Sequence, residues 1–368
     1  APFANLLFFM TMSLLPSKPT PLSVEVPDEG AYREPGRPRA TPPAQAMERY
    51  PKLVAAISGA IVGLGAFALS VGVLREYGAA LLIGTPTIAG FVTGAVLARL
   101  DPDASWSSVA LTAAIAETIM VAAVIAFAIE GLFCIWLILP IFFIPTIVGA
   151  VLGFGTGKSL PRVRANAAVT MTLLSFFVLL GLDHVSPLPP VLADPVETSV
   201  DIDAPPDRVW ALLPSMDTMP PPLEWGFRAG IAYPVRASMR GTGVGAKRTC
   251  EFTTGPAVET IDLWEPGHAL GFVIEEQPEP MRELTLYHTV NQPHNKGYVN
   301  SLRGEFSLAA LPDGRTRLTG RSWYSLRLAP ETYWRAWCDV FVHQIQERVL
   351  TVVKARAEAP AEGRVVRR

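Results

Sequence analysis

Apolar positions are spread unevenly along this chain. Residues 53–182 carry almost no charge and divide into five apolar runs, 53–74, 79–98, 107–129, 131–155 and 165–182. At 1.5 Å of rise per residue, such runs are long enough to cross a hydrocarbon core of about 30 Å as helices. A cationic break from Lys158 to Arg164, which contains Pro161, separates the fifth run from the fourth. The pattern predicts about five membrane-spanning helices, with four or six as alternatives.

From Pro195 the pattern changes to alternation. Val196, Thr198, Val200 and Ile202 oppose Glu197, Ser199 and Asp201, which predicts a strand over 196–202. Pro205 and Pro206 then suit a helix start, where a missing amide hydrogen costs nothing, and Val209, Leu212 and Leu213 make one apolar face. Further strands are predicted at Lys247–Phe252, Ala257–Trp264, Ala269–Glu276, Tyr298–Leu308 and Arg315–Leu328. Gly255-Pro256, Pro266-Gly267 and Asp313-Gly314 mark the returns between them. The one long helix, Pro330 to about Glu358, aligns Trp334, Trp337, Phe341, Ile345 and Val349 on one side. The expected architecture is in two parts: an all-α transmembrane bundle, then an α+β domain with an antiparallel sheet around a C-terminal helix.

The boundaries follow from the same pattern. Residues 1–50 form a Pro-rich segment expected to be disordered, since it cannot bury enough apolar surface to repay its ordering entropy. Phe3–Leu15 is too short to span and lacks the preceding basic residues of a signal peptide. The helical domain covers 51–184, a Pro-rich linker 185–194, the α+β domain 195–358 and a disordered tail 359–368.

Composition agrees with this division, because only 17% of the residues are charged while 50% are hydrophobic. The net charge of −2 and the lack of a basic stripe argue against nucleic acid as a partner. The expected partners are a lipid bilayer and a hydrophobic small molecule. The cysteines, Cys134, Cys250 and Cys338, show no metal-ligand spacing, so neither a metal nor a cofactor is expected. Cys250 and Cys338 are either two buried thiols or a disulfide.

Arg49, Lys52, Arg99, Lys158, Arg162 and Arg164 gather at one end of the helices, against Arg75 alone at the other. By the bias of Lys and Arg toward the cytoplasmic face, this places the C-terminal domain outside the cytoplasm, with a bacterial plasma membrane as the expected location. Gly59 and Gly63, Gly90 and Gly94, and Gly149 and Gly153 are spaced for close helix packing. Pro86, Pro140 and Pro145 interrupt helices, as kinks or as part of a transport path. Glu117 lies mid-helix, either hydrogen-bonded to a neighbouring helix or serving as a proton or ion site. Gly153–Ser159 resembles a phosphate-binding loop, but follows a membrane helix rather than a strand and is read as a decoy.

Several phrases of the C-terminal half resemble the START-like or SRPBCC superfamily, which includes polyketide cyclases, lipid-transfer domains and plant allergen proteins. They are Val200-Asp201-Ile202-Asp203-Ala204-Pro205-Pro206-Asp207-Arg208-Val209-Trp210, Trp264-Glu265-Pro266-Gly267-His268-Ala269-Leu270, Gly304-Glu305-Phe306-Ser307-Leu308 and Gly314-Arg315-Thr316-Arg317-Leu318. The resemblance spans about 195–358 and implies a helix-grip fold with an apolar cavity between the curved sheet and the last helix. It does not imply a catalytic set, since members share the cavity rather than the chemistry.

Strand parity then nominates the cavity wall. On 315–328 the inner face reads Leu318, Gly320, Ser322, Tyr324 and Leu326, and the outer face carries Arg317, Thr319, Arg321, Trp323 and Arg327. Phe306, Phe272, Cys250 and Phe252 join the inner wall, and Trp337 and Phe341 cover it from the helix. A return at Gly255-Pro256 would set Phe252 opposite Glu259 and Arg248 opposite Leu263, so a direct Arg248–Glu259 pair is not expected. Glu259 is either an edge residue or a buried acid, base or ligand anchor, and it is the sole catalytic candidate. His268, His288, His294 and His343 form no triad, although His343 could reach the cavity mouth. The expected function is binding or transfer of a lipid or polyketide-like molecule by a membrane-anchored domain. A cyclase or dehydratase, and a transporter or sensor with a ligand-presenting domain, are the alternatives.

Overall fold

The computed structural model describes residues 49–187, 189–287, 289–290 and 296–360. The N-terminal segment, apart from its last two residues, and most of the C-terminal tail lie outside that range. Five helices are long and apolar enough to cross a membrane: α1 (Pro51–Leu74), α2 (Ala80–Leu100), α3 (Trp106–Ala126), α4 (Leu132–Ser159) and α5 (Arg162–Val185).

Small residues hold the bundle together. Gly90 and Gly94 of α2 lie against the carbonyls of Thr146 and Ala150, while Gly149 and Gly153 of α4 lie against those of Thr87 and Phe91. A Cβ at any of the four would strike backbone, so the two helices touch at main-chain distance. Pro86 stands where the wider first turns of α2, Ala80–Gly84, pass into its regular part, and Pro140 and Pro145 are internal to α4. The phosphate-loop look-alike is helical through Ser159, so no loop exists there to cradle a phosphate.

The C-terminal half is a helix-grip domain. Its strands are β1 (Val191–Leu192), β2 (Val196–Ile202), β3 (Pro234–Arg240), β4 (Lys247–Phe252), β5 (Gly255–Glu265), β6 (Ala269–Glu276), β7 (Glu283–Leu284), β8 (Thr289–Val290), β9 (Val299–Ala310) and β10 (Thr316–Leu326). Two short helices, α6 (Pro206–Trp210) and α7 (Trp225–Arg228), precede β3, and α8 (Glu331–Glu358) closes the domain. The main sheet is antiparallel, in the order β1-β10-β9-β6-β5-β4-β3, with β2 also paired to β10, and β7 pairs with β8 apart from it.

Alternation located most of these strands but not β3, whose Pro234–Arg240 stretch mixes charge and small residues. The β4–β5 hairpin also differs from expectation. Phe252 pairs with Gly255, so the chain reverses at Thr253 and Thr254, and Gly255, at φ +148, already belongs to β5. Arg248 therefore stands opposite Glu259 rather than Leu263.

The apolar side of α8 serves two partners. Val349, Leu350, Val353 and Ala357 pack against the sheet with Ile202, Leu318 and Ile261. Trp337, Phe341 and Ile345 instead join Phe133 and Leu137 of α4 and Phe227 of α7. The Trp136 and Trp337 rings meet edge to face at 5.4 Å, and the Tyr333 hydroxyl donates to the Leu137 carbonyl. The continuous stripe expected to cover the sheet is thus divided between the sheet and the bundle.

Candidate functional site

A cavity of about 370 Å³ lies under α8, lined by the inner face of the sheet, and extends between helices of the apolar bundle. Of the wall positions nominated above, Arg248, Cys250, Phe252, Glu259, Phe272, Phe306, Gly320, Ser322, Tyr324, Trp337 and Phe341 line it, whereas Leu318 and Leu326 do not, and Arg321 and Trp323, expected on the outer face, also reach it. Glu117 lines the part inside the bundle, with Phe67, Leu82, Met120 and Phe142. Met216, Met219, Ile231, Ile274 and Met281 also contribute. Nothing in the sequence singled these out, because their placement depends on turns and on the docking of the two halves.

The wall at β10 is open where small residues were expected to leave space. A Cβ on Gly320 would meet nothing closer than 3.8 Å. Ser322 is engaged, accepting from Gln346 Nε2 at 3.0 Å, and the Tyr324 hydroxyl donates to Asp339 Oδ1 at 2.6 Å. Burial and the Asp339 carboxylate hold the Tyr324 phenol above its ordinary range.

Arg248 and Glu259 are 2% and 3% exposed, so Glu259 is a wall residue and not an edge residue. Arg248 Nη1 donates to Glu259 Oε2, its Nε donates to the Pro214 carbonyl at 3.3 Å, and its guanidinium lies 5.1 Å from the Phe272 ring centre. Burial is the larger influence on both groups, opposing the charge of each, and their mutual attraction works against it. The balance keeps Arg248 protonated and leaves the Glu259 carboxyl above the usual carboxylate range.

Inside the bundle, the Thr146 hydroxyl lies 2.8 Å from Glu117 Oε2 and 2.8 Å from the Phe142 carbonyl. The other oxygen, Glu117 Oε1, is buried without a hydrogen-bond partner. Where the two halves meet, Cys134 Sγ donates to Glu283 Oε1 at 2.6 Å and the Tyr77 hydroxyl donates to Glu130 Oε1 at 3.2 Å. Polar groups thus punctuate a cavity whose walls are otherwise chiefly apolar.

The remaining candidates lie elsewhere. His343 is exposed, with Nδ1 2.7 Å from Thr198 Oγ1, and does not line the cavity. His268 is exposed in its turn, and His288 and His294 fall outside the described residues. Cys250 and Cys338 are free thiols rather than a disulfide, and burial pushes each up to about 12. Among the described residues, no group of three or more His, Cys, Asp or Glu is arranged to hold a metal ion.

A curved antiparallel sheet closed by one long helix over an apolar hollow defines the class as helix-grip. Residues 195–356 match the family described as polyketide cyclase / dehydrase and lipid transport. No curated protein matches the chain. Among solved structures, the chain is similar to the Zhui aromatase/cyclase of Streptomyces sp. R1128, at 17% identity over 46% of this chain and 94% of that one, with a TM-score of 0.31. A point mutant of norcoclaurine synthase from Thalictrum flavum shares 11% identity over 46% and 95%, with a TM-score of 0.31. A protein of Nitrosospira multiformis shares 16% identity over 45% and 97%, with a TM-score of 0.28.

Proposed function

We propose that this protein is anchored in a membrane by its five apolar helices and binds or transfers a hydrophobic small molecule in the cavity under α8. The observation that carries the reading is the continuity of that cavity, whose lining runs from Gly320 and Phe306 in the sheet to Phe67 and Met120 in the bundle. A mostly apolar hollow of this size suits a lipid or polyketide-like molecule. The family matched by residues 195–356, described by cyclase/dehydrase activity and lipid transport, supports the same class of ligand.

Arg99, Lys158 and Arg162 lie at the ends of helices away from the α+β domain, which follows α5. With these cations cytoplasmic, the domain is extracytoplasmic.

The test is a mass spectrum of what leaves the gently extracted protein on denaturation. A stoichiometric apolar compound is expected, and it should be lost from Gly320→Phe, which puts a ring into the open space beside β10. An empty wild-type protein, or equal loading of the variant, would count against the reading.

A cyclase or dehydratase is the second reading, supported by the charged pair in the cavity wall. Catalysis calls for convergent groups free to exchange protons with a substrate, and Glu259 is already committed to Arg248. Turnover of a bound polyketide-like molecule, lost in Glu259→Gln with affinity retained, would establish it.

A further inference from the structure

We propose that the bundle end of the cavity is a site for the hydroxyl terminus of a long-chain alcohol, with Glu117 as its hydrogen-bonding partner. This rests on the ligand-binding reading above and specifies the chemical class of ligand. Glu117 is 1% exposed and lines the cavity, and its Oε1 is buried with no partner. Leaving such an oxygen unsatisfied is costly, so the site gains from any ligand that supplies the missing bond. Thr146 does not supply it, because its hydroxyl is directed at Oε2 and at the Phe142 carbonyl.

The surroundings define what can bind. α3 ends at Ala126, so Glu117 lies about 14 Å inside the helix, too deep for bulk water to be its ordinary partner. Phe67, Leu82, Met120 and Phe142 line the same region and call for a hydrocarbon body. A hydroxyl can donate the hydrogen that Oε1, an acceptor buried without a donor, lacks. An ether only accepts, and an ammonium only donates and brings a charge. At the other end of the cavity, Arg248 and Glu259 satisfy one another and make no demand on a ligand. The structure thus assigns a molecule with one polar end, directed into the bundle, and an apolar body reaching toward the sheet.

The experiment titrates the full chain in lipid nanodiscs with a long-chain primary alcohol, its methyl ether and the corresponding primary amine, read by native mass spectrometry. The alcohol should bind about tenfold tighter than the ether, the equivalent of one hydrogen bond of about 1.4 kcal/mol. Glu117→Leu should abolish that preference. Glu117→Gln, which keeps a donor and an acceptor in the same shape, should retain it. The alcohol–ether comparison on the wild-type protein needs no variant to fold. Equal binding of alcohol and ether, a preference that survives Glu117→Leu, or an amine that outcompetes the alcohol would overturn the assignment while leaving the ligand-binding reading intact. Failure of all three probes to bind the wild-type protein would overturn both.

Discussion

Arg248 and Glu259 face each other across β4 and β5 and close an ion pair inside the cavity wall, with the Phe272 ring beside the guanidinium. Two charges withdrawn from water tolerate each other only together, because removing one leaves the other buried without compensation. Glu259→Gln is therefore expected to destabilise the α+β domain by about 3 kcal/mol. The double variant Arg248→Met with Glu259→Leu should recover most of that loss. Thermal unfolding followed by tryptophan fluorescence compares the three, and a single variant as stable as the wild type would show that the pair contributes no support.

The contact between α2 and α4 predicts a sharp dependence on position. Gly94→Val would drive a side chain into the Ala150 carbonyl and force the two backbones apart. The bundle should lose its heat stability in detergent, seen as early aggregation by size-exclusion chromatography. Gly155→Ala is the control, because a Cβ there meets nothing within 4 Å. If both variants melt like the wild type, main-chain packing does not hold the bundle.

Cys250 and Cys338 should resist alkylation while the domain is folded. Burial favours the uncharged thiol, and with both groups at about 12 the thiolate fraction at pH 8 is about one in ten thousand. Raising the pH by one unit should speed labelling about tenfold, while unfolding should expose both sites at once. Peptide mapping after a timed maleimide pulse measures this. Rapid labelling of the native protein at pH 8 would contradict the burial of these thiols.

The five helices were legible because each long apolar window stands on its own, independent of the rest of the fold. The inner face of β10 was legible only in part: Leu318, Tyr324 and Leu326 are buried as parity requires, but Thr319 and Ser325 on the opposite parity are buried as well, because that side of the strand is covered too. The partner of Glu259 was not legible. Two inconspicuous threonines form the turn beside a more obvious Gly-Pro, and moving the reversal by that much changes every cross-strand neighbour. The double use of α8 was also hidden, since an apolar stripe shows that a helix buries a face without showing against what. Trp337 and Phe341 would look the same over a sheet or against α4. The unsatisfied oxygen of Glu117 was beyond reach, because it depends on how a single threonine hydroxyl is shared.

The seam where Trp337 and Phe341 lie on Phe133 and Trp136 bears on how this protein can be handled. Severed near Val185 and expressed alone, the C-terminal half would present those rings to water, with Trp225, already half uncovered in the intact chain, beside them. An excised fragment would be sticky and prone to self-association, and its hollow would lack the wall that α4 provides.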